Sequence, residues 1–133
     1  MTRAVIDTNV VVSALLSPLG NEALVLEAVR RNLCVPCFSR EILKEYREVL
    51  VRPKFGFHTR QVDGLLALLR EQGRMFSPKP VAVSLPDPDD AIFIACARAA
   101  SAEFLVTGNK RHFPQAACGA TKVVSAREFL TAL

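Results

Sequence analysis

Arg3-Ala4-Val5-Ile6-Asp7-Thr8-Asn9-Val10-Val11-Val12-Ser13-Ala14-Leu15-Leu16 sets a short apolar run, a polar turn and a longer apolar run end to end. Arg3 to Ile6 reads as a buried strand that stops at Asp7-Thr8-Asn9, and Val10 to Leu16 as the start of a helix. A strand that is apolar on both faces and feeds a helix belongs in a parallel sheet covered by helices.

The rest of the chain repeats that alternation. Asn21 can cap a second helix with Leu24, Val25, Ala28 and Val29 at helical spacing, and Cys34 to Phe38 is a second strand. Ser39 caps a helix through Leu50, which Arg52-Pro53 ends. Phe55-Gly56-Phe57 is a loop, and Thr59 can cap a helix through Gln72 that Gly73 stops. Its stripe of Val62, Leu65, Leu66 and Leu69 suits a core or a dimer interface. After the linker Ser77-Pro78-Lys79-Pro80, Val81 to Ser84 is expected as a short edge strand. Pro86-Asp87-Pro88 starts a helix through Ala100. Glu103 to Thr107 and Lys122 to Ser125 are the last strands, with Gly108 to Gln115 a loop between them and Ala126 to Leu133 a closing helix. The order implies a single α/β domain over residues 1–133, a Rossmann-like three-layer α/β/α sandwich with a mainly parallel sheet. Ligands of such sheets bind beyond the carboxyl ends of the strands. Asp7 and Asn109 each follow a strand, so both belong to that edge.

Four acids stand where apolar segments meet turns or helix ends: Asp7, Glu45, Asp87 and Asp90. Asp7 also fits a local Asx turn. Glu45 lies about 100° from the centre of the stripe of Ile42, Leu43, Tyr46, Val49 and Leu50, whereas Glu41 and Glu48 lie roughly 140° and 160° away and face solvent. Asp87-Pro88-Asp89-Asp90 reads first as a helix start, with Asp at the cap and Pro at the first helical position. A cap uses one or two carboxylates, and this turn has three. Carboxylates gathered at the edge of a core resist ionising together. A divalent cation relieves that repulsion, and ligation by oxygen alone favours Mg²⁺ or Mn²⁺ over zinc.

The 133 residues are half hydrophobic and carry a net charge of +4, which argues against disorder and agrees with a polyanionic partner. No apolar run approaches the ~20 residues of a membrane span, and no leader pattern opens the sequence, so a cytoplasmic protein with no membrane contact is expected. Cys34 and Cys37 form a C-x-x-C without the second pair that zinc needs or the helix start that redox chemistry needs.

The segments VIDTNVVVSALL, SREILKEYREVL, DPDDAIFIACA, FLVTGNKRHFP and VVSAREFL, in that order, resemble the PIN-domain nucleases, in the branch of VapC-like toxins from prokaryotic toxin–antitoxin pairs. The resemblance implies Mg²⁺- or Mn²⁺-dependent cleavage of RNA, a homodimer, and a cognate antitoxin protein whose tail occupies the acidic groove. It assigns Asp7, Glu45 and Asp90 as the catalytic and metal-binding acids, with Asp87 as a further metal ligand. Thr8, Asn9 and Ser13 match supporting polar positions. Asn109 stands where a fourth acid is often found, which leaves a second metal in doubt. Lys110, Arg111 and His112 are candidates to hold RNA phosphates. Two other readings compete: a catalytically weak or inactive module that binds RNA or protein on the same basic rim, and a phosphate-binding switch domain. The acids stand at a helix start, which disfavours the switch.

Overall fold

β1 (Arg3–Ile6) lies at the centre of the sheet because Ala4, Val5 and Ile6 are buried on both faces. The computed structural model describes residues 1–133. After β1 come α1 (Thr8–Leu16), α2 (Asn21–Arg30), β2 (Val35–Ser39), α3 (Arg40–Leu50), α4 (Thr59–Gln72) and β3 (Arg74–Phe76). Then follow α5 (Ala91–Ala100), β4 (Phe104–Val106), α6 (Gln115–Cys118), β5 (Lys122–Val124) and α7 (Ala126–Ala132).

All strand pairs are parallel, and the order is β3-β2-β1-β4-β5. The chain therefore winds outward from β1 to β3, then crosses back to β4 and winds the other way. Right-handed crossovers in opposite directions put their helices on opposite faces. In agreement, α1, α2, α4 and α7 form one packed layer, and α5 with α6 packs against the strands separately. The expected α/β/α sandwich is present. Reversal of winding between β1 and β4 opens a crevice at their carboxyl ends.

One cluster of 32 buried hydrophobic residues runs through both faces of the sheet. Leu65, Leu66 and Leu69 belong to it, so the α4 stripe is core and a dimer would need another face. All four cysteines are free and buried, and burial pushes Cys34 up to about 11 and Cys96 to about 12, leaving the thiols inert. No single helix is long and apolar enough to cross a membrane.

Several local expectations are corrected. The polar turn at Asp7-Thr8-Asn9 is not separate from the helix: α1 already starts at Thr8, with Asp7 as its N-cap residue. Gly20 and His58, not Asn21 and Thr59, precede α2 and α4, and His58 with Gln61 forms a reciprocal cap. The edge strand is β3, not Val81 to Ser84, which pairs with no strand. Gly73 explains the choice: a Cβ there would lie 2.3 Å from the Pro36 carbonyl oxygen, so only glycine lets α4 end this close to β2 and release the chain into β3. The acidic turn forms a 3₁₀ turn at Pro88–Asp90 before α5 proper. The 108–115 loop contains another 3₁₀ turn at Lys110–His112.

Candidate active site

Asp7 is delivered to the crevice by β1 and is almost fully buried, at 6% exposure. Its side chain makes no capping bond to α1. Instead Thr107, one residue past β4, donates its hydroxyl to Asp7 Oδ2 at 2.8 Å. The same hydroxyl oxygen accepts the Asn109 backbone N–H at 3.0 Å, so one threonine fixes both the acid and the loop beyond it. Burial pushes the Asp7 carboxyl up, and the Thr107 bond offsets part of that rise.

Glu45 reaches the same edge from α3. Ser39 accepts the Ile42 N–H and starts the helix at the carboxyl end of β2. Tyr46, fully buried, donates its hydroxyl to the Ile6 carbonyl and so pins α3 against the end of β1. The residue before it, Glu45, then meets Thr8, whose hydroxyl donates to Glu45 Oε2. Burial raises the Glu45 carboxyl first, and the charges of Asp7, Asp89 and Asp87 add to the rise against the lowering by Thr8.

The third arm is the turn before α5. Asp87 Oδ1 accepts the Asp89 N–H at 3.0 Å and so caps the 3₁₀ turn, as a plain helix start requires. Asp90 makes no such cap. Its Oδ2 lies 3.1 Å from His112 Nδ1, and its side chain is only 13% exposed. Phe113, next to that histidine, packs edge-to-face on Phe93 of α5 with ring centroids 6.1 Å apart, which holds the loop against the helix. Asp90 is pushed up to about 6, by burial first and then by the charges of Asp7 and Asp87, with His112 opposing and Glu45 adding.

Asp7, Glu45, Asp87 and Asp90 thus stand close enough to feel one another's charge at one edge. Their kind fits a hard divalent cation: oxygen donors only, crowded and partly desolvated. No three Asp, Glu, His or Cys side chains converge tightly enough to enclose an ion as they stand. Each of the three core acids is held by a neighbour instead: Asp7 by Thr107, Glu45 by Thr8 and Asp90 by His112.

The other candidates separate. Asn9 accepts the Gly108 N–H at 3.2 Å, which joins the start of α1 to the loop after β4. Ser13 lies a turn further along α1, half-buried. Asn109 is half-buried beside Thr107. Lys110 is tied to Glu128 of α7, which holds that carboxyl at about 2, while Arg111 is exposed. His112 faces Asp90 and not open solvent alone. Thr107 and Tyr46 were not among the sequence candidates. A threonine directly after an apolar strand on the same edge was the available signal for Thr107. For Tyr46 the sequence suggested only an apolar face.

A sequence-family profile described as "PIN domain" matches residues 3–111. No curated protein matches the chain. Among solved structures, the crystal structure of VapBC2 from Rickettsia felis bound to a DNA fragment from their promoter is similar, with a TM-score of 0.60 at 15% identity. The match covers 93% of this chain and 98% of that one.

Proposed function

Because this chain belongs to the PIN-domain family, we propose that it is a single-domain, metal-dependent endoribonuclease that hydrolyses RNA phosphodiester bonds, the cytoplasmic toxin of a type II toxin–antitoxin pair. One observation carries the reading: buried Asp7 and half-buried Glu45 and Asp90 share the switch-point edge, and Asp90 is raised to about 6 in part by the other acids. Asp7, Asp90 and Glu45 would hold Mg²⁺ or Mn²⁺, with Asp87 at the margin. Such an ion supplies Lewis acidity toward a phosphate oxygen and lowers the pKa of water.

The chain's own groups set the geometry. Thr107 holds Asp7 in one rotamer, Thr8 aims Glu45 across the crevice, and His112 restrains Asp90. Asn9 fixes the β4 loop relative to α1, and Asn109 is held in that loop by its backbone bond to Thr107. Glu41, Glu45, Glu48 and Asp89 line a groove on this side of α3, which suits a basic antitoxin segment. A homodimer would use a face other than α4.

The test is cleavage of single-stranded RNA by the purified chain with Mn²⁺ or with EDTA. Cleavage that survives EDTA overturns metal catalysis. The unconverged acids and the uncharged Asn109 favour a second reading, a PIN-like module that binds RNA or protein without turnover. Retention of RNA with no cleavage at any Mn²⁺ concentration would select it.

A further inference from the structure

The helix α3 carries two charge stripes of opposite sign. Arg40, Lys44 and Arg47 recur at helical spacing, and each is followed at once by an acid, Glu41, Glu45 or Glu48. A shift of one residue turns a stripe by about 100°. The two stripes consequently face two different grooves. The acidic one, of about 410 Å³, runs between α3 and the Pro88-Asp89 turn and contains Glu41, Glu45 and Asp89. The other, of about 520 Å³, lies between α3, α4 and the edge strand β3, with Arg40, Arg47 and Arg70 on its walls and Leu43 and Met75 as an apolar floor. Lys44 and Glu48 form the crest that both grooves share, paired at 4.0 Å.

We propose that the basic groove is the docking track for the single-stranded RNA substrate, lying across α3 from the acids. This rests on the ribonuclease reading of the acidic edge and adds where the strand is held. Concentrated negative charge at the acidic edge repels a polyanion, so affinity for RNA has to come from elsewhere on the surface. Arg40 directly follows Ser39, the last residue of β2, so the groove opens at the same carboxyl edge as the acids. Arg47 is spanned to Asp63 of α4 at 3.2 Å, which braces the wall. Arg40 and Arg70 have no carboxylate partner and are free for phosphate oxygens. Met75, 54% exposed above the buried Leu43, offers apolar surface to a base. A strand seated there would cross the Lys44–Glu48 crest to place its scissile phosphate at the acids.

The experiment measures binding of a fluorescent single-stranded RNA oligonucleotide to the full chain in EDTA, across a salt series, by anisotropy. Arg70→Ala and the double variant Arg40→Ala/Arg70→Ala are compared with Arg127→Ala, an exposed cation on α7. The double variant should weaken binding at least tenfold at low salt and flatten the log K against log salt slope by about 0.7 for each phosphate no longer neutralised. Arg127→Ala should leave both unchanged, and all three should keep the parent melting temperature. An unchanged slope in the double variant overturns the track, as does polyglutamate competing as well as RNA, which would mark a protein-binding groove. Cleavage assays in Mn²⁺ separate the two readings. Groove-dependent binding without cleavage supports the track and sinks the nuclease. Cleavage with an unaltered KM in the double variant sinks the track and leaves the nuclease standing.

Discussion

Thr107 Oγ1 lies 2.8 Å from Asp7 Oδ2, a bond across the switch point between residues 100 positions apart. It is the contact through which β4 sets the rotamer of the acid that β1 delivers. Replacement by valine keeps the volume and removes the donor. We expect Thr107→Val to raise the Mn²⁺ concentration for half-maximal cleavage on the order of ten- to a hundred-fold, with little change at saturating metal. A metal titration of cleavage checks it, and an unchanged half-maximal concentration would assign Thr107 to the loop alone.

Asp90 makes stability depend on pH in a direction opposite to an ordinary ion-paired acid. Its folded carboxyl titrates at about 6, above the ordinary 3.8 of an unfolded chain. The folded state therefore binds the proton more tightly, and the stability this group contributes is full below 3.8 and lost as pH rises through about 6. In EDTA, the melting temperature should fall between about pH 4.5 and 6.5. Asp90→Asn should flatten that fall, abolish cleavage and melt no lower than the parent at pH 7.5. Mg²⁺ added at pH 7.5 should recover stability in the parent and much less in the variant. Glu128 acts at about 2, outside this window, so it does not confuse the measurement. A parent melting curve that rises over the interval, unaltered by Asp90→Asn, would contradict the assignment.

Tyr46→Phe tests how Glu45 is positioned. The substitution leaves the Ile6 carbonyl without the hydroxyl that now donates to it in the core. Loss of one buried hydrogen bond costs ~0.5–1.5 kcal/mol, a fall of a few degrees in melting temperature. Because Glu45 adjoins Tyr46, cleavage should fall as well, at temperatures where the variant is still folded by circular dichroism. Full activity in a destabilised variant would show that Thr8 alone sets Glu45.

Burial patterns made much of this legible. β1 and β5, the Ser39 cap of α3 and the closing α7 follow from apolar runs and local capping chemistry, signals that sit within a few residues of what they specify. Asp7, Asp87 and Asp90 stand out as candidates because each marks a junction between an apolar run and a turn, and Glu45 because it lies at the flank of the apolar face of α3. What stayed hidden depends on partners far along the chain. Arg74–Phe76 has no alternation of its own and becomes a strand because Gly73 brings it against β2. Val81, Val83 and Leu85 do alternate, yet they are only half-buried in a segment that pairs with no strand. Thr107 and His112 gain their roles from Asp7 and Asp90, which no local pattern could pair with them.

Gly73→Ala should be the most damaging single methyl in the chain. A Cβ would meet the Pro36 oxygen at 2.3 Å, the Leu69 oxygen at 2.6 Å and a Phe38 ring carbon at 2.8 Å. Two of the three are backbone atoms, which cannot rotate aside. The backbone angle itself is not the difficulty, since φ is −110° and any residue adopts it. Relief requires α4 to move from β2, at a cost of ~1–3 kcal/mol or more for an overpacked site. Gly64, on the same helix with nothing within 4 Å of its Cβ position, is the control. Gly64→Ala should instead stabilise slightly, because alanine loses less chain entropy than glycine on entering a helix. Thermal melts of both variants should move in opposite directions, and a Gly73→Ala melt equal to the parent would show that the α4–β2 junction is looser than these distances require.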